Sequence, residues 1–240
     1  MFFLLSPPAL SAEPSEDRAA LAEATLAWGS RDRPGVAERT IATLQAFEQT
    51  HPDDYEVHWQ LARFWHALSL RGDKPPAQTA YTGVAPAEKA TALNPSGVEG
   101  WFWLASTLGT YAEHSGIMDA VRQGLAGRIE SAAKRAVSLN GSYDHGAPLV
   151  ALGQYYAALP WPLQDLPKAR TLLERGVALG PKYALNLYYL AELEMKEEKY
   201  DAARALYERI LALGSTEGDP PATRRYKPLA RARITELDAL

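Results

Sequence analysis

The 240-residue sequence contains no cysteine. That rules out a disulfide framework, a thiol nucleophile, a thiolate metal site and a lipid-modified cysteine at the amino end. No run of about 18 apolar residues occurs, so no membrane-spanning helix is expected. An excess of basic charge is missing too: 25 Lys and Arg against 29 Asp and Glu leave a net charge of -4. A surface that neutralises several phosphates needs the opposite sign, so nucleic acid is not an expected partner. Neither a G-x-S-x-G elbow nor a Gly-rich phosphate loop is present. What the chain does have is 47% hydrophobic residues, enough at this length for one large core or a continuous solenoid core.

That hydrophobic content is organised as a repeat. From Ala169, a small residue is followed by Leu173, Gly176 and Pro181, at offsets of 4, 7 and 12. Ala203, Tyr207 and Ile210 fill the first three slots again 34 residues later, and 34 is the period of the tetratricopeptide helix-turn-helix unit. Between them, Leu187, Leu190 and Ala191 take the slots of the W-x2-L-G opening signature. Large apolar groups three and four apart share a helix face, and the small residues admit a partner helix closely. The pattern resembles a tetratricopeptide repeat. It predicts an all-α, right-handed α-solenoid of about four to five helix pairs with a terminal capping helix.

Along the chain, a helix is expected over 15–29 and a second from Val36 to about His51. A third begins after Asp53 and Asp54, with His58, Leu61, Ala62 and Trp65 in the opening slots. Gly83, Ala87, Ala90 and Pro95 restore the offsets of 4, 7 and 12. Trp101, Leu104, Ala105 and Leu108 form an opening helix whose partner is delayed by an insertion over 109–128, in which 117–126 is expected to lengthen the second helix. Leu149, Leu152, Gly153 and Tyr156 match the next opening helix, and Asp165 reads as the cap of its partner. The basic segment Arg224, Arg225, Lys227, Arg231 and Arg233 reads as the solvated face of the capping helix, or as a docking patch for an acidic partner.

Residues 1–14 stand apart from the single repeat domain expected over 15–240. Phe2 to Leu5 lead through two prolines to Ala9, Leu10, Ser11 and Ala12, and the chain then turns polar. The stretch resembles the end of a secretory signal without its basic region, and the alternative is an apolar strap packed on the fold.

A narrower likeness rests on a succession of short motifs. These are a leading helix pair, Leu61-Ala62-Arg63, the A-x-x-L-N-P of Ala90 to Pro95, and a displaced W-x-x-A at Trp103 to Ser106. Gly116-Ile117, the A-x-x-L-N of Ala136 to Asn140, His145-Gly146, Leu152-Gly153, a Pro-Trp loop and a last repeat complete the series. Over roughly 36–213 the chain resembles two related families: the T-component linked to tripartite ATP-independent periplasmic (TRAP) transporters, and the regulator of microtubule dynamics family. The resemblance implies an accessory protein without catalysis of its own, and the signal-like segment favours the exported, periplasmic branch, peripheral to a membrane transporter. A cytoplasmic scaffold for complex assembly is the alternative, and an enzyme using the His58 and His66 helix a third.

No metal or cofactor is expected. His58 and His66 lie two turns apart, too far for a one-turn zinc pair, and no local carboxylate completes a ligand set. Asp144-His145 and Glu113-His114 are neighbours that point about 100° apart on a helix, and they read as loop or cap residues. The aromatics say more, because adjacent rings cannot all face one core. Opening helices line the concave side of such solenoids, which places Trp59, Phe102 and Tyr188 there, with Arg63, Ser106 and Glu192 one turn later and His66 on the same face. That groove suits a peptide segment or a small organic ligand. The competing expectation is that these rings pack between repeats or under the insertion.

Overall fold

The computed structural model describes residues 18–116, 122 and 124–240, and every regular element among them is helical. Five helix pairs and a final helix follow one another. They are α1 (Ala19–Ala27) with α2 (Val36–Thr50), then α3 (Tyr55–Ser69) with α4 (Pro76–Thr82) and α5 (Val84–Leu93). Next come α6 (Val98–Ser115) with α7 (Leu125–Asn140), α8 (Tyr143–Ala158) with α9 (Leu166–Leu179), α10 (Ala184–Lys196) with α11 (Tyr200–Ala212), and α12 (Pro220–Leu237). Each helix packs on its chain neighbours, and α3, α6, α8, α10 and α12 also touch in succession along the inner side. This is the stacked helix-pair solenoid that the 34-residue spacing predicts.

The small slots explain how closely the helices approach. Ala169, Leu173, Ala203, Tyr207 and Ile210 are fully buried. A Cβ at Gly176 would stand 2.5 Å from Val150 Cγ2, and one at Gly153 2.8 Å from Leu173 Cγ, so α8 and α9 meet glycine against side chain in both directions. Caps sit where the sequence puts them: Asp54 accepts from the Glu56 and Val57 amides, and Asp165 from that of Lys168.

The structure departs from the expected elements in three places. The first helix gives way after Ala27 to a 3₁₀ turn, Trp28–Ser30. The second helix of the second pair is split at Gly83. Pro86 has no amide to donate to the preceding turn, and Gly83 leaves no room for a side chain between Thr107, Trp65 and the Ala62 carbonyl. At the start of α8, Asp144, His145 and Gly146 have φ of 43°, 59° and 87°, a left-handed run that precedes the helix proper. The signal or strap expected over 1–14, and most of the lengthening expected over 117–126, lie outside the described residues. Within them, α7 begins only at Leu125, after Gly124 with φ 73°.

The two ends of the solenoid meet. Asp219, just before α12, receives both terminal nitrogens of Arg31 across 188 residues, and both side chains are nearly buried. Arg31 also donates to the Trp28 carbonyl at 2.9 Å and lies 3.9 Å above the Trp28 ring. Arg224 forms a second two-pronged pair with Asp32, at 2.8 Å for Nη2 to Oδ1, and Arg225 donates to the Leu70 carbonyl.

Two stability predictions follow from these contacts. Gly176→Leu overpacks the α8 and α9 contact and is expected to cost about 1 to 3 kcal/mol in urea unfolding, and an unchanged midpoint would show that the contact yields freely. Arg31→Ala strands a buried carboxylate and is expected to cost about 3 kcal/mol, whereas Arg224→Ala, at a half-exposed pair, should cost no more than about 1 kcal/mol. Equal losses would mean that burial does not distinguish the two pairs.

Candidate functional site

The inner face borders a central, half-open cavity of about 650 Å³. Trp28, Phe102, Trp103, Tyr155, Tyr189 and Tyr226 supply its aromatic wall, and Val150, Leu159, Leu185 and a series of alanines the rest of its apolar surface. Its polar groups are His66, Ser106, Thr110, His114, Gln154 and Tyr183, with the charged side chains of Arg71, Glu113, Asp144 and the seam residues. A second groove of about 600 Å³ continues from it past Glu113, Gln154, Tyr189 and Arg225, and is lined further on by Tyr188, Glu192 and Arg233.

The residues proposed from sequence for the concave face divide three ways. His66, Phe102 and Ser106 line the central cavity. Tyr188 and Glu192 line the second groove. There Glu192 is already engaged, accepting from Tyr207 Oη at 2.6 Å and from Arg233 at 2.9 and 2.6 Å. Trp59 and Arg63 line neither. Arg63 is buried against α1, donating to the Ala24 carbonyl at 3.2 Å and to Gln60 at 2.9 Å, with the rings of Trp28 and Trp59 within 5 Å. Burial lowers its pKa to about 10. The physical reason is α1: it packs into the slot beside α3 that an open solenoid would leave to a ligand, and the Trp28 ring meets Phe64 and Trp103 edge-on there.

The adjacent aromatics separate as their spacing requires. Trp103 is buried beside His66, with ring centroids 5.6 Å apart, while Trp101 points outward and donates to the Pro95 carbonyl at 3.0 Å. Tyr156 is buried and donates to Glu130 at 2.7 Å, leaving Tyr155 to the cavity, where burial pushes its hydroxyl up to about 12. His58 faces away from the cavity, its Nε2 2.7 Å from the Pro52 carbonyl, so it and His66 do not form a pair. His66 has no hydrogen bond to its ring among the described residues. Burial, reinforced by the charges of Arg225 and Arg31, lowers its pKa to about 3 and keeps the imidazole neutral.

The residues that dominate the cavity's electrostatics come together only in three dimensions. Tyr183 Oη lies 3.2 Å from Asp144 Oδ1 and 3.3 Å from Asp219 Oδ2, and Asp219 in turn holds Arg31. Burial, and then the neighbouring charge of Asp219, raise the pKa of Asp144. The left-handed run that aims this carboxylate is held by Asn186, whose amide donates to the carbonyls of His145 and Gly176 at 2.8 Å each. The sequence presents Asp144-His145 as loop or cap residues and gives Asp219 no distinguishing pattern. Nothing local announces that the two meet.

The tension at Asp144 has a testable sign. A carboxyl with a raised folded pKa weighs against folding above that pKa, and the burden disappears on acidification. Asparagine tolerates the left-handed backbone and still accepts the Tyr183 hydroxyl. Asp144→Asn is therefore expected to melt within about 0.5 kcal/mol of the parent protein or above it at pH 7, with any gain fading toward pH 4. A loss of more than about 1 kcal/mol at neutral pH would contradict this.

No curated protein matches the sequence with significance. Among solved structures, a thermophilic tetratricopeptide-repeat protein of Thermus thermophilus is similar, with a TM-score of 0.70 and 18% identity over 93% of this chain and 100% of that one. PilF of Pseudomonas aeruginosa is similar at 0.54 and 17%, over 92% and 89%. At these identities the likeness shows the fold alone. In sequence, the model of the family described as regulator of microtubule dynamics protein 1-3 matches residues 31–155. That segment runs from the seam arginine through the opening helices that line the cavity to Tyr155, more than half of the chain, and on this match the chain belongs to the regulator of microtubule dynamics protein 1-3 family.

Proposed function

We propose that the protein is a non-catalytic binding scaffold that holds its partner, a peptide segment or a small organic ligand, inside the ring of helices. The observation that carries this reading is the central cavity. Its size falls in the range of ligand sites, and its surface is mostly apolar and aromatic with a few convergent polar groups. The groove that continues from it past Tyr189 gives room for an extended occupant. The buried rings of Phe102, Trp103 and Tyr226 supply anchors of the kind that carry binding energy.

Export to the periplasm and service to a TRAP-type transporter form the further part of the proposal. They are supported by the signal-like pattern of residues 2–12 and by the motif succession. Fractionation of the host, with mass determination of the mature amino terminus, tests them, and an intact chain recovered from the cytoplasm would end the transporter reading in favour of a cytoplasmic scaffold.

The cavity itself is tested by site-specific photo-crosslinking in the host. A benzoylphenylalanine at Ser106 is expected to capture a partner, and Ala151→Trp, which fills the cavity, to abolish that capture with the helical circular dichroism unchanged. The same probe at exposed Glu208 on α11 is expected to capture nothing comparable. Capture from Glu208 alone, or capture from Ser106 that survives Ala151→Trp, would move the binding surface to the outside of the ring.

A further inference from the structure

Most of the charged groups of the cavity wall are paired within the protein. Arg31 is held by Asp219, Arg224 by Asp32, and Arg71 by Glu38 and Asp73. At the mouth, where the cavity passes into the second groove, Glu113 and Arg225 act on the Tyr189 hydroxyl with opposite signs. Deeper in the cavity, one carboxylate is left without a cation. Asp144 forms no ion pair among the described residues, and its single hydrogen bond, from Tyr183, comes from a hydroxyl that also lies 3.3 Å from Asp219. One O–H satisfies one of these carboxylates well, not both. Two carboxylates thus share one hydroxyl, Arg31 is bonded to Asp219 alone, and the carboxylate of Asp144 is left facing the cavity.

Sterics do not account for this placement. Gly146 has to be glycine, since a Cβ there would stand 3.2 Å from Gly176 and Leu179. The two residues before it also take left-handed backbones, φ 43° and 59°, a conformation that costs a non-glycine residue about 1 to 3 kcal/mol. The strain directs an uncompensated carboxylate into a chamber walled by Trp28, Phe102, Trp103, Tyr155 and Tyr189. A carboxylate in a cavity lined by aromatic rings is an environment that binds an organic cation, through charge pairing and the attraction of a cation to aromatic rings. An anionic head group at this place meets two carboxylates and an arginine already engaged twice.

We propose that the cavity takes a ligand bearing a protonated amine, whose ammonium pairs with Asp144 while its apolar part lies against the aromatic wall. The proposal rests on the reading of the cavity as the binding site and adds the charge of what binds there. Neutral His66, whose ring has no hydrogen-bond partner among the described residues, offers the ligand a further hydrogen bond.

The test is a charge series of one shape, phenethylammonium, 2-phenylethanol and phenylacetate, titrated into the full chain by isothermal calorimetry and ligand-observed NMR. Phenethylammonium is expected to bind at least tenfold more tightly than either analogue. Asp144→Asn is expected to erase that preference, and Glu208→Gln, on the outer surface of α11, to preserve it. Folding of each variant is checked by circular dichroism. Equal affinity for the cation and the alcohol, tightest binding of phenylacetate, or a preference that survives Asp144→Asn overturns the amine while leaving the cavity as the binding site. Failure of all three probes to bind overturns the amine as well, and the Ser106 crosslink then decides the cavity separately.

Discussion

The contact between Arg31 and Asp219 turns a stack of helix pairs into a ring. A solenoid of this kind is ordinarily stabilised by nearest-neighbour interfaces, and its ends are free. Here the segment after α1 and the residue before α12 are joined by a nearly buried, two-pronged ion pair. The arginine is preoriented by the Trp28 carbonyl and ring. Such a pair contributes little net stability but is costly to break, because either partner left alone is a buried charge. Its effect is to fix one arrangement of the ends, and with it the shape of the half-open cavity between them.

Enclosure explains the chemistry of the inner side chains. His66 and Tyr189 are partly exposed, yet burial shifts both toward their neutral forms. Both facts hold because what they are exposed to is the cavity. A neutral imidazole and a neutral phenol there are donors and acceptors for an occupant, and neither adds charge. Charge enters the wall mostly in pairs, and Asp144 is the unpaired carboxylate deepest in it. A largely apolar cavity with an unpaired carboxylate suits an occupant that brings a cation to it. This is strain and desolvation held at a site and offset by the packing of the whole ring.

How much of this could be read from the sequence follows from the range of the interactions involved. The helix pairs were legible because Ala169, Gly176 and Ala203 lie at spacings set by helix geometry and by the repeat. The caps Asp54 and Asp165 were legible because capping is local. Of the concave residues, Phe102, Ser106 and His66 face the cavity because they sit on inner helices between two others. Trp59 and Arg63 occupy equivalent slots but are covered by α1, and no property of their own helix reports that. The seam was invisible, since Arg31, Asp144, Tyr183 and Asp219 are far apart in the chain and unremarkable in place. Arg224 read as a solvated face; its partner, Asp32, lies 192 residues away. The left-handed run at Asp144 was masked by its resemblance to an ordinary turn.

The claim that the ends are joined is open to direct measurement because the chain has no cysteine to interfere. Spin labels on cysteines introduced at Arg33 and Arg231, exposed positions on the two sides of the seam, report the distance between the ends by pulsed electron resonance. A closed ring predicts a single narrow distribution in the otherwise unaltered chain and a broader, longer one when Arg31→Ala is added. A broad distribution before that change, or a narrow one that persists after it, would show that Arg31 and Asp219 do not hold the ring shut.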